Sequence, residues 1–148
     1  MLTALANKAK MALWVAKIER IVAKPPGSDD GFSAESLATD ATLTVSRSTT
    51  WGIVCDEMLD TQHSRVHFDR SREELCRRGI TDAEFTEMQR FAWLTVGWMN
   101  FETMGWEWCG LDAGDIRHAI EWQHRDAWIS NEERDRRLEY VQRYENAV

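Results

Sequence analysis

Over most of the chain, apolar positions recur with a helical period. Met11, Trp14, Val15, Ile18, Ile21 and Val22 return every three or four residues. At about 100° per residue they gather on one face, with Lys10, Lys17, Arg20 and Lys24 largely opposite. The pattern predicts a basic amphipathic helix over 1–24. Pro25-Pro26-Gly27 closes it, because proline lacks the N–H that a helix interior needs.

The pattern then breaks. The segment from Pro25 to Gly31 holds both prolines of the chain, and residues 33–50 are rich in Ser, Thr and Ala, so 25–50 reads as a linker or irregular connector. Leu43, Val45, Thr49, Trp51 and Ile53 roughly alternate, as a short strand would. No second strand run lies nearby to pair with it, so an extended arm or a weak helix is expected instead. From Trp51 onward, Val54, Cys55, Met58, Leu59 and Gln62 form a helical stripe.

The body that follows carries clear helix punctuation. Ser71-Arg72-Glu73-Glu74 predicts a helix start that Gly79 ends. Thr81-Asp82-Ala83-Glu84 is a capping box. It opens a helix over about 82–104 in which Phe91, Leu94, Trp98, Phe101 and Trp108 share one line. Phe85, Met88, Ala92, Val96 and Met99 cover much of the rest. A helix apolar nearly all round is buried on several sides, so this is the expected central element, with Trp98 buried. Gly105 and Gly110 predict a turn. Asp112 then caps a helix with Ile116, Ala119, Ile120 and Ala127 inward. Ser130-Asn131-Glu132-Glu133 is a further capping box before a last helix lined by Leu138, Val141 and Tyr144. The expected fold is mainly α: a small bundle of four to six helices, with a separate N-terminal amphipathic helix and an irregular Ser/Thr-rich connector. The expected divisions are an arm (1–24), a connector (25–50) and an acidic Trp-rich domain (51–148).

Charge sharpens this division. The total is −7 over 148 residues. Residues 1–24 carry five basic side chains against Glu19 alone, a balance of +4, which leaves −11 for the remainder. That balance argues against direct nucleic-acid binding. No run of about 18 uncharged apolar residues occurs, so a spanning helix is not expected. Cys55, Cys76 and Cys109 are an odd number at wide spacing with no CxxC. They favour a reducing intracellular compartment or an organelle, a mitochondrion among them, over a secreted setting.

Candidate chemistry is sparse. His63 and His67 have the i,i+4 spacing of a metal pair. Asp60-x-x-His63 and Glu121-x-x-His124 have the acid-x-x-His spacing of di-iron bundles, for which Glu19 and Glu102 are formal partners. The angles oppose it. Glu121 lies roughly 140° from Ile116, and Asp60 roughly 180° from Trp51, so the acids face away from the apolar stripes. His63, Glu121 and His124 therefore stand only as an alternative metal set. Glu84-x-x-Glu87 and Asp112-x-x-Asp115 echo the paired acids by which all-α nucleotide pyrophosphohydrolases hold Mg²⁺, but Asp112 is better placed as a helix cap. No GxSxG, GxxxxGK or GxGxxG is present.

The expected function is thus a non-catalytic accessory or structural subunit of a larger assembly, without a cofactor. Its partners are other protein subunits, engaged through Trp-rich and amphipathic surfaces. Docking falls to Met11, Trp14, Lys17, Ile18, Arg20 and Ile21, on a partner or a membrane surface rather than on the chain's own body. The alternatives are an acidic inhibitor of a nucleic-acid-binding partner and a metal-dependent all-α enzyme using the Glu, Asp and His sets.

Overall fold

The computed structural model describes residues 2–23, 48–59, 65–103 and 110–147. α1 spans Leu2–Val22, α2 Thr50–Leu59, α3 Arg65–Arg77 and α4 Asp82–Ala92. α4 runs through a π turn, Trp93–Gly97, directly into α5, Trp98–Thr103. α6, Ala113–Arg125, and α7, Asn131–Glu145, follow. With α4, the π turn and α5 taken as one rod, the described residues form a bundle of six helical rods and contain no strand. None of these helices is long and apolar enough to cross a membrane.

Local chemistry sets the helix ends. Thr81 accepts from Glu84 N–H while the Glu84 carboxylate accepts from Thr81 N–H, and Asp112 and Asp115 form the same reciprocal box. Each box satisfies backbone donors that the first turn leaves free. α3 and α6 end alike. Ile80 N–H donates to Leu75 C=O and Gly79 N–H to Cys76 C=O; Trp128 N–H donates to Gln123 C=O and Ala127 N–H to His124 C=O. Both are Schellman ends with a left-handed residue between, Gly79 at φ 81° and Ala127 at φ 59°.

The central rod organises the core. α1 and α2 pack on α4, α6 packs on the π turn, and α7 lies against α6 and α2. Phe85, Met88, Ala92 and Val96 meet Ile53 and Val54 of α2, Ile116 and Ile120 of α6, and Val141 of α7 in one cluster. Trp51 is buried and donates its indole N–H to Val141 C=O at 2.9 Å. Trp98, only 3% exposed, sits edge-on to Trp122 and Trp128 at centroid distances of 5.9 and 5.3 Å.

Several expectations need correction. Trp51 and Ile53 lie on α2, in keeping with the helical stripe from Trp51 rather than with the alternation that runs through them. α2 stops at Leu59 and α3 begins at Arg65, so Ser71 is mid-helix rather than a helix start. The π turn inserts an extra residue into the central rod, so the expected inward line fails beyond Trp98. Asn100 is buried while Phe101 stays 47% exposed. Ala127 has left α6 and is exposed. Only half of the Ser130 box forms: Ser130 caps Glu133 N–H, but the Glu133 carboxylate turns to Arg136 and Arg137. The N-terminal helix is not a separate arm, since Met11 belongs to the common core and Trp14 packs against it. The linker from Pro25, the stretch 33–47, Asp60, Gln62, His63, Gly105, Trp108 and Cys109 lie outside the described residues.

The two Schellman ends form an internal control. Ala127→Gly removes the Cβ penalty of a left-handed residue and should raise stability by about 0.5–1 kcal/mol. Gly79→Ala should lower it by a similar amount, about 0.5–1 kcal/mol. Urea midpoints measure both, and an Ala127→Gly protein no more stable than its parent contradicts the left-handed end.

Candidate functional site

The π turn positions what surrounds it. Trp98 N–H donates to Trp93 C=O, the i→i−5 bond of the widened turn, and to Thr95 C=O. Leu94 C=O, its partner in an ordinary α-helix, is thereby released. Gln123 of α6 fills that vacancy, donating its side-chain NH₂ to Leu94 C=O at 2.7 Å. Trp93 C=O takes a second donor, the Trp14 indole N–H of α1, at 2.9 Å. Gly97 is needed there, because a Cβ would stand 2.7 Å from the Trp93 ring.

From Gln123 the polar chain continues outward. Its amide oxygen accepts from Arg137 Nη1 at 2.6 Å, and Arg137 Nε donates to Glu133 at 2.7 Å. Gln123 is fully buried and Arg137 only 7% exposed. Burial, followed by the neighbouring Arg136 charge, holds the Arg137 pKa down to about 10.

This chain ends at the wall of a groove of about 590 Å³ between α1, α4 and α7. Val15 and Ile18 form one side, Phe91 and Leu94 the floor, and Tyr140 and Tyr144 the other side. Phe91 and Tyr140 rings lie 4.7 Å apart and Tyr140 and Tyr144 5.3 Å. Burial pushes the Tyr140 phenol pKa well up. Around the rim, Arg90 Nε stands 3.0 Å from Glu19 of α1 and Arg90 also pairs with Glu87. Tyr144 Oη donates to Glu84 at 3.2 Å. The Thr81 backbone and side-chain hydrogen bonds hold the Glu84 carboxyl below its usual range.

α1 therefore presents two faces. Met11 and Ile18 are buried, Ile21 is half-buried, and the Trp14 ring meets Phe101 at 4.7 Å. The expectation that this face docks away from the body is overturned, since the body itself takes it up. Lys17 lies over the Phe101 ring at 4.7 Å and Arg20 is exposed. The opposite side is not chiefly basic. Leu5 is 60% and Leu13 74% exposed, and Ala6, Ala9, Ala12 and Ala16 are exposed beside them. On a 100° wheel these residues centre opposite Ile18, with Lys8 on one flank and Lys10 and Lys17 on the other.

The other candidate residues are placed as follows. His63 lies outside the described residues; Glu121 is exposed, and His124 Nε2 meets Asn131 Oδ1 at 2.5 Å. His67 pairs instead with Glu57 of α2 at 3.2 Å, an oxygen that also accepts from Ser71 at 2.7 Å. Glu84, Asp112 and Asp115 act in capping boxes and Glu87 pairs with Arg90. Among the described residues no three His, Cys, Asp or Glu side chains gather in a metal-holding group. The described tryptophans pack within the fold rather than forming a presented surface: Trp51, Trp98 and Trp128 are buried, and Trp14, Trp93 and Trp122 are partly buried against the core. Comparison with family models, curated proteins and solved structures finds no match.

Pattern reading overlooked Gln123 and Arg137, although Gln123 continues the Ile116–Ile120 line and Arg137 stands four residues before Val141. Their polarity disguised inward positions. Gln123→Leu should cost about 3 kcal/mol or more, because it strands the Leu94 carbonyl and one face of a buried guanidinium. Gln123→Leu with Arg137→Leu should cost less than Gln123→Leu alone. Urea unfolding of the three proteins is the check, and a Gln123→Leu midpoint equal to the parent's contradicts the network.

Proposed function

We propose that the chain is a non-catalytic accessory subunit of a larger protein assembly, attached through the outer face of α1. The observation that carries this reading is the exposed stripe of Leu5, Ala9, Ala12, Leu13 and Ala16, directly opposite the face that packs on the body. Leu5, Ala9, Ala12 and Ala16 follow a 4-3-4 spacing, the seam of a paired helix. Alanines along it allow a second helix to approach closely.

The partner is an acidic amphipathic helix. Lys8, Lys10, Lys17 and Arg20 border the stripe, and the nearby acid Glu19 is paired with Arg90. A second copy of α1 would set like charges together. A lipid surface fits less well, since interfacial helices use bulky apolar side chains such as Trp, Phe and Leu. Here Trp14 points inward, and the outer face is mostly alanine. Of the carboxylates that sequence spacing offers for catalysis, Glu84, Asp112 and Asp115 serve in helix caps and Glu19 and Glu87 pair with Arg90, which supports a binding role over an enzymatic one.

Two designed helical peptides test the reading, both with a Leu/Ala seam, one flanked by Glu and one by Lys. The full chain should bind the Glu-flanked peptide and lose affinity with rising salt. Leu13→Glu should weaken binding at least tenfold without altering the fold. Equal binding of the Lys-flanked peptide, indifference to Leu13→Glu, or binding to anionic vesicles in place of the peptide contradicts it.

A further inference from the structure

A second site lies on the other side of α1. We propose that the groove between α1, α4 and α7 binds a small amphipathic carboxylate, its apolar body on Ile18, Phe91 and Leu94 and its anionic head beside Arg136 and Arg137. The volume, about 590 Å³, falls in the range of small-ligand pockets, about 300–1,000 Å³. Val15, Ile18, Ala83, Phe91 and Leu94, with Tyr140 and Tyr144, supply its apolar wall, and charged side chains supply the rest.

Charge distinguishes its two ends. On the α1 and α4 side, Arg90 is already shared by Glu19 and Glu87. At the tyrosine end, Glu84 takes the Tyr144 hydroxyl, and Arg143 lies over the Tyr140 ring at 5.9 Å. At the start of α7 two guanidiniums, Arg136 and Arg137, share a single carboxylate, Glu133. Among the groove's lining residues this is the one place where guanidiniums outnumber carboxylates, two to one, beside apolar surface. Outside the lining, Arg134 pairs with Asp135, and Glu132 is exposed in the first turn of α7.

Arg137 is also held in place. Gln123 fixes one of its nitrogens and Glu133 another, so the guanidinium cannot swing into bulk water. A fixed charge at the end of an apolar groove recognises an anion at low ordering cost. Its depressed pKa agrees with charge that burial and Arg136 leave incompletely compensated. At neutral pH the group remains a cation.

The test uses three probes of one chain length, decanoate, decylamine and decanol, titrated into the full chain and followed by amide NMR shifts. Decanoate should bind at least tenfold tighter than decylamine and shift Leu94, Arg137 and Tyr140. Arg136→Gln replaces an exposed side chain, so the fold should persist. It should weaken decanoate at least fivefold and leave decanol unchanged. Absence of binding, decylamine binding as tightly as decanoate, shifts confined to other surfaces, or decanoate affinity untouched by Arg136→Gln overturns the proposal. None of these outcomes bears on the outer face of α1.

Discussion

A buried backbone carbonyl without a donor costs about as much as a lost hydrogen bond, and the π turn at 93–97 creates that problem in the middle of the molecule. Its widened bond pattern draws Trp98 N–H away from Leu94 C=O. Gln123 supplies the missing donor from α6, and Trp14 adds a donor to Trp93 from α1. The same few backbone atoms therefore anchor helices that are far apart in sequence. Gln123 can reach Leu94 and still accept from Arg137, which brings α7 into register and takes the Glu133 carboxylate away from its own helix start.

This arrangement also explains the surfaces that remain. α1 packs on α4 and the π turn, while α7, held against α6 and α2, meets α4 through Tyr140 on Phe91 and Tyr144 on Glu84. The flank of α4 between them is left uncovered as the groove. Fixing Met11, Trp14 and Ile18 inward sends the Leu5–Leu13 side outward. Two apolar surfaces thus arise from one helix placement: a concave one with an arginine-rich end and a convex one bordered by lysines.

Much of the architecture was legible because it is locally encoded. Thr81, Asp112 and Gly79 end helices through bonds within a few residues, and the apolar spacing of 82–98 and 116–120 marks inward faces. The π turn was not legible, because no residue in Trp93–Gly97 announces a wider turn. Its consequences, Asn100 inward and Phe101 outward, went unread with it. Arg137 was hidden for a different reason. In a run of six charged residues, nothing local says which one is turned inward to meet a glutamine fourteen positions earlier. The second face of α1 was obscured because alanine contributes little to an apolar pattern, yet a stripe of it becomes a contact surface once Leu5 and Leu13 frame it.

The central claim is that α1 belongs to the same cooperative unit as the central rod. Native-state hydrogen exchange tests it most directly, since a docked helix opens only with the core while an independent arm exchanges almost freely. The account predicts that amides from Met11 to Ile18 open with free energies within about 1–2 kcal/mol of those of α4. Exchange of these amides at close to unprotected rates, with α4 still protected, would contradict it.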